Sequence, residues 1–502
     1  MISEQLKQAR TYEAAQSAAL PPSQRPLFHL TPPVGWLNDP NGFSVYRGEY
    51  HLFYQYHPYS TSWGPMHWGH CKSGDLLRWE YLPAALAPDQ PYDRDGCFSG
   101  SAAETPDGRH VLLYTGVRKQ GEREYQTQCA AVGDGLNYEK LPANPVITGA
   151  QLPPGGSPQD FRDPKLWREG SRWFAAVGNR TGDGSGAVLL YSSADLEHWT
   201  LEGTLDRSQN QWGNMWECPD FFQLDGQAVL LVSPQELKAP DPSFHSGYES
   251  LCLLGQWDRE TNTFRRRRVL PVDQGLDFYA PQTLEAPDGR RVLIGWMQDW
   301  NAAKCVPARQ RWFGQMTLPR ELRIRDGRLI QRPVRELEAW RGERAAYENV
   351  EVSEHQTLPG ISGRTLDLTV RLRVHSGSFS LKFAQDEHHF TALVFRPNHN
   401  TLTLDRTRSG LPGGQAHRRT VPLRDRSGEL DLRLILDRCS VEVFVNGGEQ
   451  VLSATLYTPP EAAGISFQAQ GRASMDVEQY RLTDWRDLDE TDRLSPAPFA
   501  SL

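Results

Sequence analysis

Five short polar clusters recur along the first two-thirds of the chain: Asn38-Asp39-Pro40, Phe98-Ser99-Gly100, Arg162-Asp163-Pro164, Glu217-Cys218-Pro219 and Ala280-Pro281-Gln282. Taken at residues 39, 99, 163, 217 and 281, they are spaced 60, 64, 54 and 64 residues apart. Between them lie short apolar runs such as EYHLFYQY (49–56), RHVLLYTG (109–116), RWFAAVG (172–178), AVLLYSS (187–193) and RRVLIGWM (290–297). Each is bounded by Gly, Pro, Asp or Asn, which reads as strands joined by turns. A strand repeat of this length is the mark of a β-propeller with four-stranded blades. Five repeats predict five blades over residues 26–325. The innermost strand of each blade lines the central channel. If each cluster opens an innermost strand, all five meet at one channel mouth, and Asp39, Asp163 and Glu217 come together from distant parts of the chain.

The flanks read differently. Residues 1–25 form a helical extension followed by a Pro-rich connector with Pro21, Pro22 and Pro26. Residues 326–346 read as a linker with a short helix near 334–341. From 347 to 486 strands return with clean alternation, as in TLDLTVRLRV (365–374) and SVEVFV (440–445), which ends at Asn446-Gly447. Alternation gives one wet and one buried face, so this part is expected to be a β-sandwich, with SGLPGGQ (409–415) as a hairpin connection. The tail, 487–502, reads as loosely held. The fold class is therefore all-β: a five-bladed propeller followed by a C-terminal sandwich. A second repeat, Ser73-Gly74-Asp75-Leu76-Leu77-Arg78-Trp79 against Ser193-Ala194-Asp195-Leu196-Glu197-His198-Trp199, supports the periodic reading.

Composition narrows the function. With 15 Trp and 17 Tyr among 502 residues, the chain has many flat apolar faces with a polar handle, which suit a saccharide. A net charge of −8 speaks against a nucleic-acid partner. The one dense basic run, Arg265-Arg266-Arg267-Arg268, reads as a solvated strand edge. Seven scattered cysteines, odd in number and with no C-x-x-C pair, read as reduced thiols rather than disulfides or a zinc site. The N-terminal stretch MISEQLKQARTYEAAQSAAL is charged and lacks an apolar core, and no apolar run approaches a membrane span. These features predict a cytoplasmic protein with no membrane partner; oligomeric state stays open.

Three carboxylates at one channel mouth repel one another when ionised, so such a group points to chemistry rather than to stability. No His accompanies the clusters, and hard cations want more oxygen ligands, so no metal is expected. His67 and His70 flank Trp68 in strand-like sequence and do not form a metal face. Glycoside hydrolysis does need two carboxyl groups across the scissile bond, one to protonate the leaving oxygen and one to attack or to activate water. Glu217, beside the small Cys218 and Pro219, is the natural proton donor. Asp39 shares a turn with Asn38, whose hydrogen bonds keep it ionised, and Arg162 is expected to keep its neighbour Asp163 ionised. Cys218 reads as a small packing residue.

The motifs WLNDPNG (36–42), FRDPK (161–165) and WECPD (216–220) resemble the signatures of the β-fructofuranosidases of glycoside hydrolase family 32. FYQYHPYSTSWGPMHWGH (53–70), CFSGS (97–101), DFYAPQ (277–282), GWM (295–297) and TLPREL (317–322) follow in the family's order, so the resemblance runs from about Phe28 to Trp485. It implies a five-bladed propeller with a sandwich, no cofactor, and a saccharide substrate. It also implies that Asp39 is the nucleophile, Glu217 the acid/base, and Asp163 the residue that holds fructose hydroxyls and favours an oxocarbenium-like transition state. The outcome would be retention through a covalent fructosyl-enzyme. Asn38, Gln55, Trp63, Phe98, Ser99 and Arg162 match the fructose pocket; Trp36 and Trp296 match an aromatic rim; Tyr279 and Gln282 match nearby positions. Leu37 departs from the Met of many members, and the first 25 residues extend beyond the usual family start. Two alternatives stand beside this reading: an inverting pentosidase of a related five-bladed family, and a carbohydrate-binding propeller without catalysis. The leaving group (glucose, glucose 6-phosphate or fructose) and any transfructosylation are not specified by these residues.

Overall fold

Each polar cluster lies on the inner strand of its own sheet: Gly35–Tyr46, Gly96–Glu104, Gly156–Glu169, Met215–Leu224 and Tyr279–Glu285. The computed structural model describes residues 2–298, 300, 310–411, 417–424 and 427–483. The tail 487–502, Cys305 and positions 412–415 of the expected hairpin loop fall outside the described residues. Five sheets form the blades of the propeller, as the repeat predicts. The first blade carries one more strand, Trp312–Phe313, which pairs in parallel with Gly35 and Trp36 and closes the ring.

The clusters share a local geometry. Every inner strand breaks register with its neighbour there: between Leu37 and Pro40, Phe98 and Gly100, Arg162 and Lys165, Glu217 and Asp220, and Tyr279 and Gln282. A bulge leaves a residue unpaired and re-aims side chains. Proline suits it because it has no N–H to lose. In the second blade Gly100 takes that place, since a Cβ there would lie 2.0 Å from the Leu113 carbonyl oxygen. Asp163, Cys218 and Ala280 sit at φ of 65°, 47° and 52°, so the same left-handed step recurs in three blades. The Ser-x-Asp repeat belongs to the outer turns: Asp75 and Asp195 each accept two backbone N–H groups there, as do Asp134 and Asp258 in the matching turns of two other blades.

Below the mouth the channel is stitched by buried polar groups. Lys165 Nζ donates to Asp220 (2.9 Å) and to the Thr283 carbonyl (2.7 Å), which ties three inner strands. Gln282 donates to the Gly100 carbonyl (2.7 Å) and accepts from the Phe43 amide (3.2 Å), which ties the other two to the fifth. Gln282 is thus a strut of the channel rather than a pocket residue. A buried charge is tolerated only when paired and hydrogen-bonded, and both conditions hold for Lys165 and Asp220. The rings of His51, His70 and His110 are buried between the first two blades. Burial lowers the His51 pKa to about 4 and that of His110 to about 3, so these rings are neutral struts near pH 7.

The N-terminal extension is a helix, Glu4–Ser17, capped by the Ser3 hydroxyl. It covers the outer edge strand of the first blade, Glu80–Leu86. Glu13 accepts from the Ala84 amide (2.8 Å) and Arg10 donates to the Ala84 carbonyl (2.9 Å), so helix side chains occupy ladder positions that would otherwise stay open.

Two boundaries differ from the sequence reading. Arg328–Pro333 pairs with Arg320–Arg325 as the outer strand of the fifth blade, so the propeller runs past residue 325. The turn between them is Asp326-Gly327, with φ of 53° and 67°, the geometry of a tight hairpin. The short helix falls at Arg335–Trp340 and is a 3-10 turn. The next strand, Arg341–Val352, already pairs with the C-terminal strand, so nothing between 326 and 346 is a free linker.

The C-terminal domain is built on two long partners, Leu366–Gln385 and Gly464–Leu482, paired antiparallel along their length. They bend at Gly377, where a Cβ would lie 1.5 Å from the Gln470 carbonyl oxygen, so only glycine fits. One half joins Phe390–Arg396 and its neighbours; the other joins Glu429–Asp437 and its neighbours. The halves face each other across one apolar core that includes Leu368, Phe379, Leu393, Val443 and Phe467.

Charged groups are buried where the two domains meet. Asp437 accepts from the Leu27 and Phe28 amides (2.7 and 3.0 Å), and the His29 ring bridges Asp437 and Glu442, each at 2.9 Å. Arg320 reaches Glu442 (2.8 Å), Asp273 (3.0 Å) and the Ser453 hydroxyl (2.7 Å). Arg406 pairs with Asp277. Burial alone would lower the His29 pKa, but the two carboxylates outweigh it and raise it to about 9. A raised histidine contributes stability that is complete below its unfolded value, about 6.5, and is lost as pH rises through about 9. Thermal unfolding followed against pH is expected to show that decline, and His29→Gln to lack it.

Candidate active site

A cavity of about 330 Å³ opens at the channel mouth, lined by Asn38, Asp39, Gln55, Trp63, Phe98, Ser99, Arg162, Asp163 and Glu217. Nine residues singled out from sequence therefore share one wall. The three carboxylates come from the first, third and fourth blades, each delivered by the bulge of its inner strand.

Their partners differ. Asp39 accepts from three neutral donors: Asn38 Nδ2 (3.0 Å), Ser99 Oγ (3.1 Å) and Cys218 Sγ (3.5 Å). Trp36 Nε1 donates to Asn38 Oδ1 at 2.7 Å and so fixes the amide that serves Asp39. Asp163 accepts from the Cys218 amide (3.0 Å), while its own amide donates to Thr115 Oγ1 (2.9 Å). Glu217 is held at both oxygens: Arg162 Nε lies 3.1 Å from Oε1 and the Tyr279 hydroxyl 2.6 Å from Oε2. That hydroxyl also lies 3.0 Å from the Ser233 carbonyl.

Arg162 does not serve Asp163 in the way its sequence position suggests. Successive residues of a strand point different ways. The guanidinium reaches across to Glu217, and also meets Gln126 Oε1 at 3.2 Å. Burial is the largest influence on Asp163 and raises its pKa; Arg162 lowers it by less than burial raises it, and Glu217 and Asp39 push it up further. Burial and then the Glu217 charge raise Asp39 to about 6, against which its three donors act. Cys218 is more than a space filler. Its amide and thiol both face the carboxylates, the thiol lying 3.5 Å from Asp39 and 3.6 Å from Asp163. Burial pushes that thiol well up, so it acts as a neutral donor.

The aromatic rim differs from expectation. Trp36 and Trp296 are only 2% and 0% exposed. Trp296 is the backing of the wall, 6.1 Å from Trp36 and 5.0 Å from Trp300, and Trp300 is the ring that lines the cavity. Trp63 is 44% exposed and stands edge-on to Phe98 at 6.1 Å on the opposite lip. Trp300 escapes sequence reading because it lies beyond the strand signal of RRVLIGWM. The outer wall adds Glu124, Gln126, Gln159, Asp160 and Gln235, five side chains without a motif of their own. Gln55 Nε2 donates to the Cys97 carbonyl (3.0 Å). Among the described residues, no group of three or more His, Cys, Asp or Glu side chains is arranged to hold a metal ion. No described helix is long and apolar enough to cross a membrane.

Comparison with known proteins agrees with this geometry. Residues 29–333 match the glycosyl hydrolases family 32 N-terminal domain, and residues 336–484 the family's C-terminal domain. The chain is 38% identical over 465 residues to an Escherichia coli sucrose-6-phosphate hydrolase, covering 88% of this chain and 91% of that one. It is 39% identical over 467 residues to an Escherichia coli raffinose invertase, covering 88% and 92%. A Bombyx mori β-fructofuranosidase variant solved in complex with sucrose superposes with a TM-score of 0.81 at 33% identity, over 95% of this chain and 97% of that one. With both domain models matched in order around a three-carboxylate mouth, the chain belongs to glycosyl hydrolase family 32 and is a glycosidase.

Proposed function

We propose that this protein is a retaining β-fructofuranosidase that releases the terminal fructose of sucrose-like saccharides. The observation that carries the proposal is the division of labour among the carboxylates. Asp39 is hydrogen-bonded by neutral donors and keeps its nucleophilic charge, whereas Glu217 is held by groups that accommodate two protonation states. Tyr279 has one proton and two neighbours. It can donate to a Glu217 carboxylate, or donate to the Ser233 carbonyl and accept from a Glu217 carboxylic acid. The same side chain can therefore give and take a proton without moving.

In the first step an Asp39 oxygen bonds to the anomeric carbon of fructose as the bond to the leaving oxygen breaks, and Glu217 gives that oxygen its proton. In the second, water attacks the same carbon, its proton passes to Glu217, and the Asp39 ester is released. Two displacements restore the starting configuration. Asp163, fixed by the Cys218 amide, faces the ring hydroxyls and the positive charge that develops on the ring.

The proposed leaving group is a neutral sugar. Among the described residues, the cavity lining bears the carboxylates Glu124 and Asp160 with the amides of Gln126, Gln159 and Gln235. Arg162, the one cation among the described lining residues, is already paired with Glu217. A phosphate dianion would meet two carboxylates there.

Proton NMR of the first minutes of sucrose cleavage tests the mechanism: β-fructofuranose must appear first, and an initial α anomer would establish inversion. Rates on sucrose, sucrose 6-phosphate, raffinose and kestose test the leaving side, with sucrose 6-phosphate expected to have the lower kcat/KM. The acid limb of kcat/KM on sucrose is expected near pH 6 or above, because Asp39 is raised to about 6 and burial raises Asp163 as well. Below it the nucleophile is protonated and the rate falls about tenfold per pH unit. A limb near pH 4 would mean that the raised carboxyl is not the essential base.

A further inference from the structure

We propose that the N-terminal helix is a brace that holds both aromatic lips of the substrate cavity, and that Tyr12 is its positioning residue. The proposal rests on the site assigned above and extends to a segment without a role in that chemistry. One side of the helix is anchored to the first blade through Leu6, Ala9 and Glu13. Its C-terminal half then reaches two loops.

The first contact is Tyr12 against Tyr59, edge-on with centroids 5.1 Å apart. Tyr59 belongs to the loop between His57 and His67 that carries Trp63. Its ring packs edge-on against those of His57 (5.7 Å) and His67 (5.8 Å). Both histidines in turn face the Pro65 carbonyl oxygen, at 3.2 and 3.1 Å. The loop is thus hung on two rings, with Tyr59 wedged beside them and Tyr12 closing the outside. Trp63 sits at its tip, 44% exposed, over Phe98.

The second contact is Gln16, which accepts from Arg311. The Arg311 carbonyl accepts the Gly35 amide at 2.9 Å, and the next two residues pair with Gly35 and Trp36. Phe313 stacks on Trp36 at 4.8 Å, and Trp36 lies 6.2 Å from Trp300 on the other lip. Two points less than two helical turns apart therefore touch the supports of Trp63 and of Trp300. Loops without such support fluctuate, and a saccharide face held between two rings loses affinity when either ring drifts.

The test compares Tyr12→Ala, Tyr12→Phe and the wild type. Tyr12→Ala is expected to raise the KM for sucrose about 3- to 10-fold, the range an aromatic pair contributes, while kcat stays within about twofold. Tyr12→Phe keeps the ring and is expected to restore KM. Hydrogen exchange of the 57–67 segment is expected to quicken in Tyr12→Ala, with the inner-strand segments unchanged. Unchanged KM together with unchanged exchange would overturn the brace and leave the helix as an edge cover. An equal fall in kcat would assign it to stability. Should the wild type cleave no β-fructoside, the assigned function fails, and the exchange experiment still decides the brace by itself.

Discussion

Replacing Asp39 with asparagine is expected to abolish turnover and, at pH 7, to make the protein more stable. In the proposed mechanism Asp39 forms the covalent bond, and single nucleophile deletions in covalent hydrolases cost on the order of 10⁴- to 10⁶-fold in kcat. The gain follows from burial. Asp39 carries its charge at pH 7 although burial and Glu217 raise it from 3.8 to about 6. A carboxyl raised on folding weakens the folded state wherever it is ionised: the penalty is absent below pH 3.8, grows up to about 6 and is complete above it. Two units correspond to about 3 kcal/mol at most, reduced by whatever hydrogen bonds asparagine loses. Melting curves of the two proteins at pH 7.5 and pH 4 check this. The variant should melt higher at the first pH, and the advantage should shrink at the second. A variant of normal activity would remove Asp39 from the nucleophile role, and one destabilised at pH 7.5 would mean that its hydrogen bonds outweigh the cost of its buried charge.

Glu217→Gln is expected to show a different kind of loss. Glutamine keeps the shape and can still meet Arg162 and Tyr279, but it cannot release a proton. Sucrose, whose leaving oxygen needs that proton, should lose about 10²- to 10⁴-fold in kcat, the range of general acid catalysis. An aryl fructoside whose phenolate leaves unaided should form the fructosyl-enzyme at close to the wild-type rate and then stall, because water is no longer deprotonated. A burst of phenol followed by a slow phase is the signature to look for. Azide, which attacks without a base, should restore turnover and give fructosyl azide of retained configuration. Equal losses on both substrates would deny Glu217 the proton-transfer role.

What could be read from residues alone follows from how strongly each local geometry constrains its sequence. The bulges of the inner strands demand Pro or Gly at fixed places, so the five clusters stand out at regular intervals, and with them Asp39, Asp163 and Glu217. The outer strand Arg328–Pro333 was announced by Asp326-Gly327, a hairpin turn that the length of the run obscured. The bend at Gly377 lies inside a single strand, and nothing in a one-dimensional pattern says that the chain changes layer there. The cavity's outer wall is drawn from Glu124, Gln126, Gln159, Asp160, Gln235 and Trp300, which belong to none of the recurring clusters. The orientation of Arg162 is a three-dimensional choice between two neighbouring acids, and burial decides its effect on Asp163. An indole serves equally as lining and as backing, and the lack of exposure of Trp296 makes it backing.

The propeller's join has a practical consequence. Among the described residues, Trp312 and Phe313 supply the ladder that pairs with Gly35 and Trp36 where the last blade meets the first, and Asp39 lies three positions along from Trp36 on that same strand. Partial opening at this short join would shift the proposed nucleophile while the other blades stayed intact. Warming should therefore silence the enzyme before it melts, and a crosslink across the join should prolong its working life more than it raises its melting temperature.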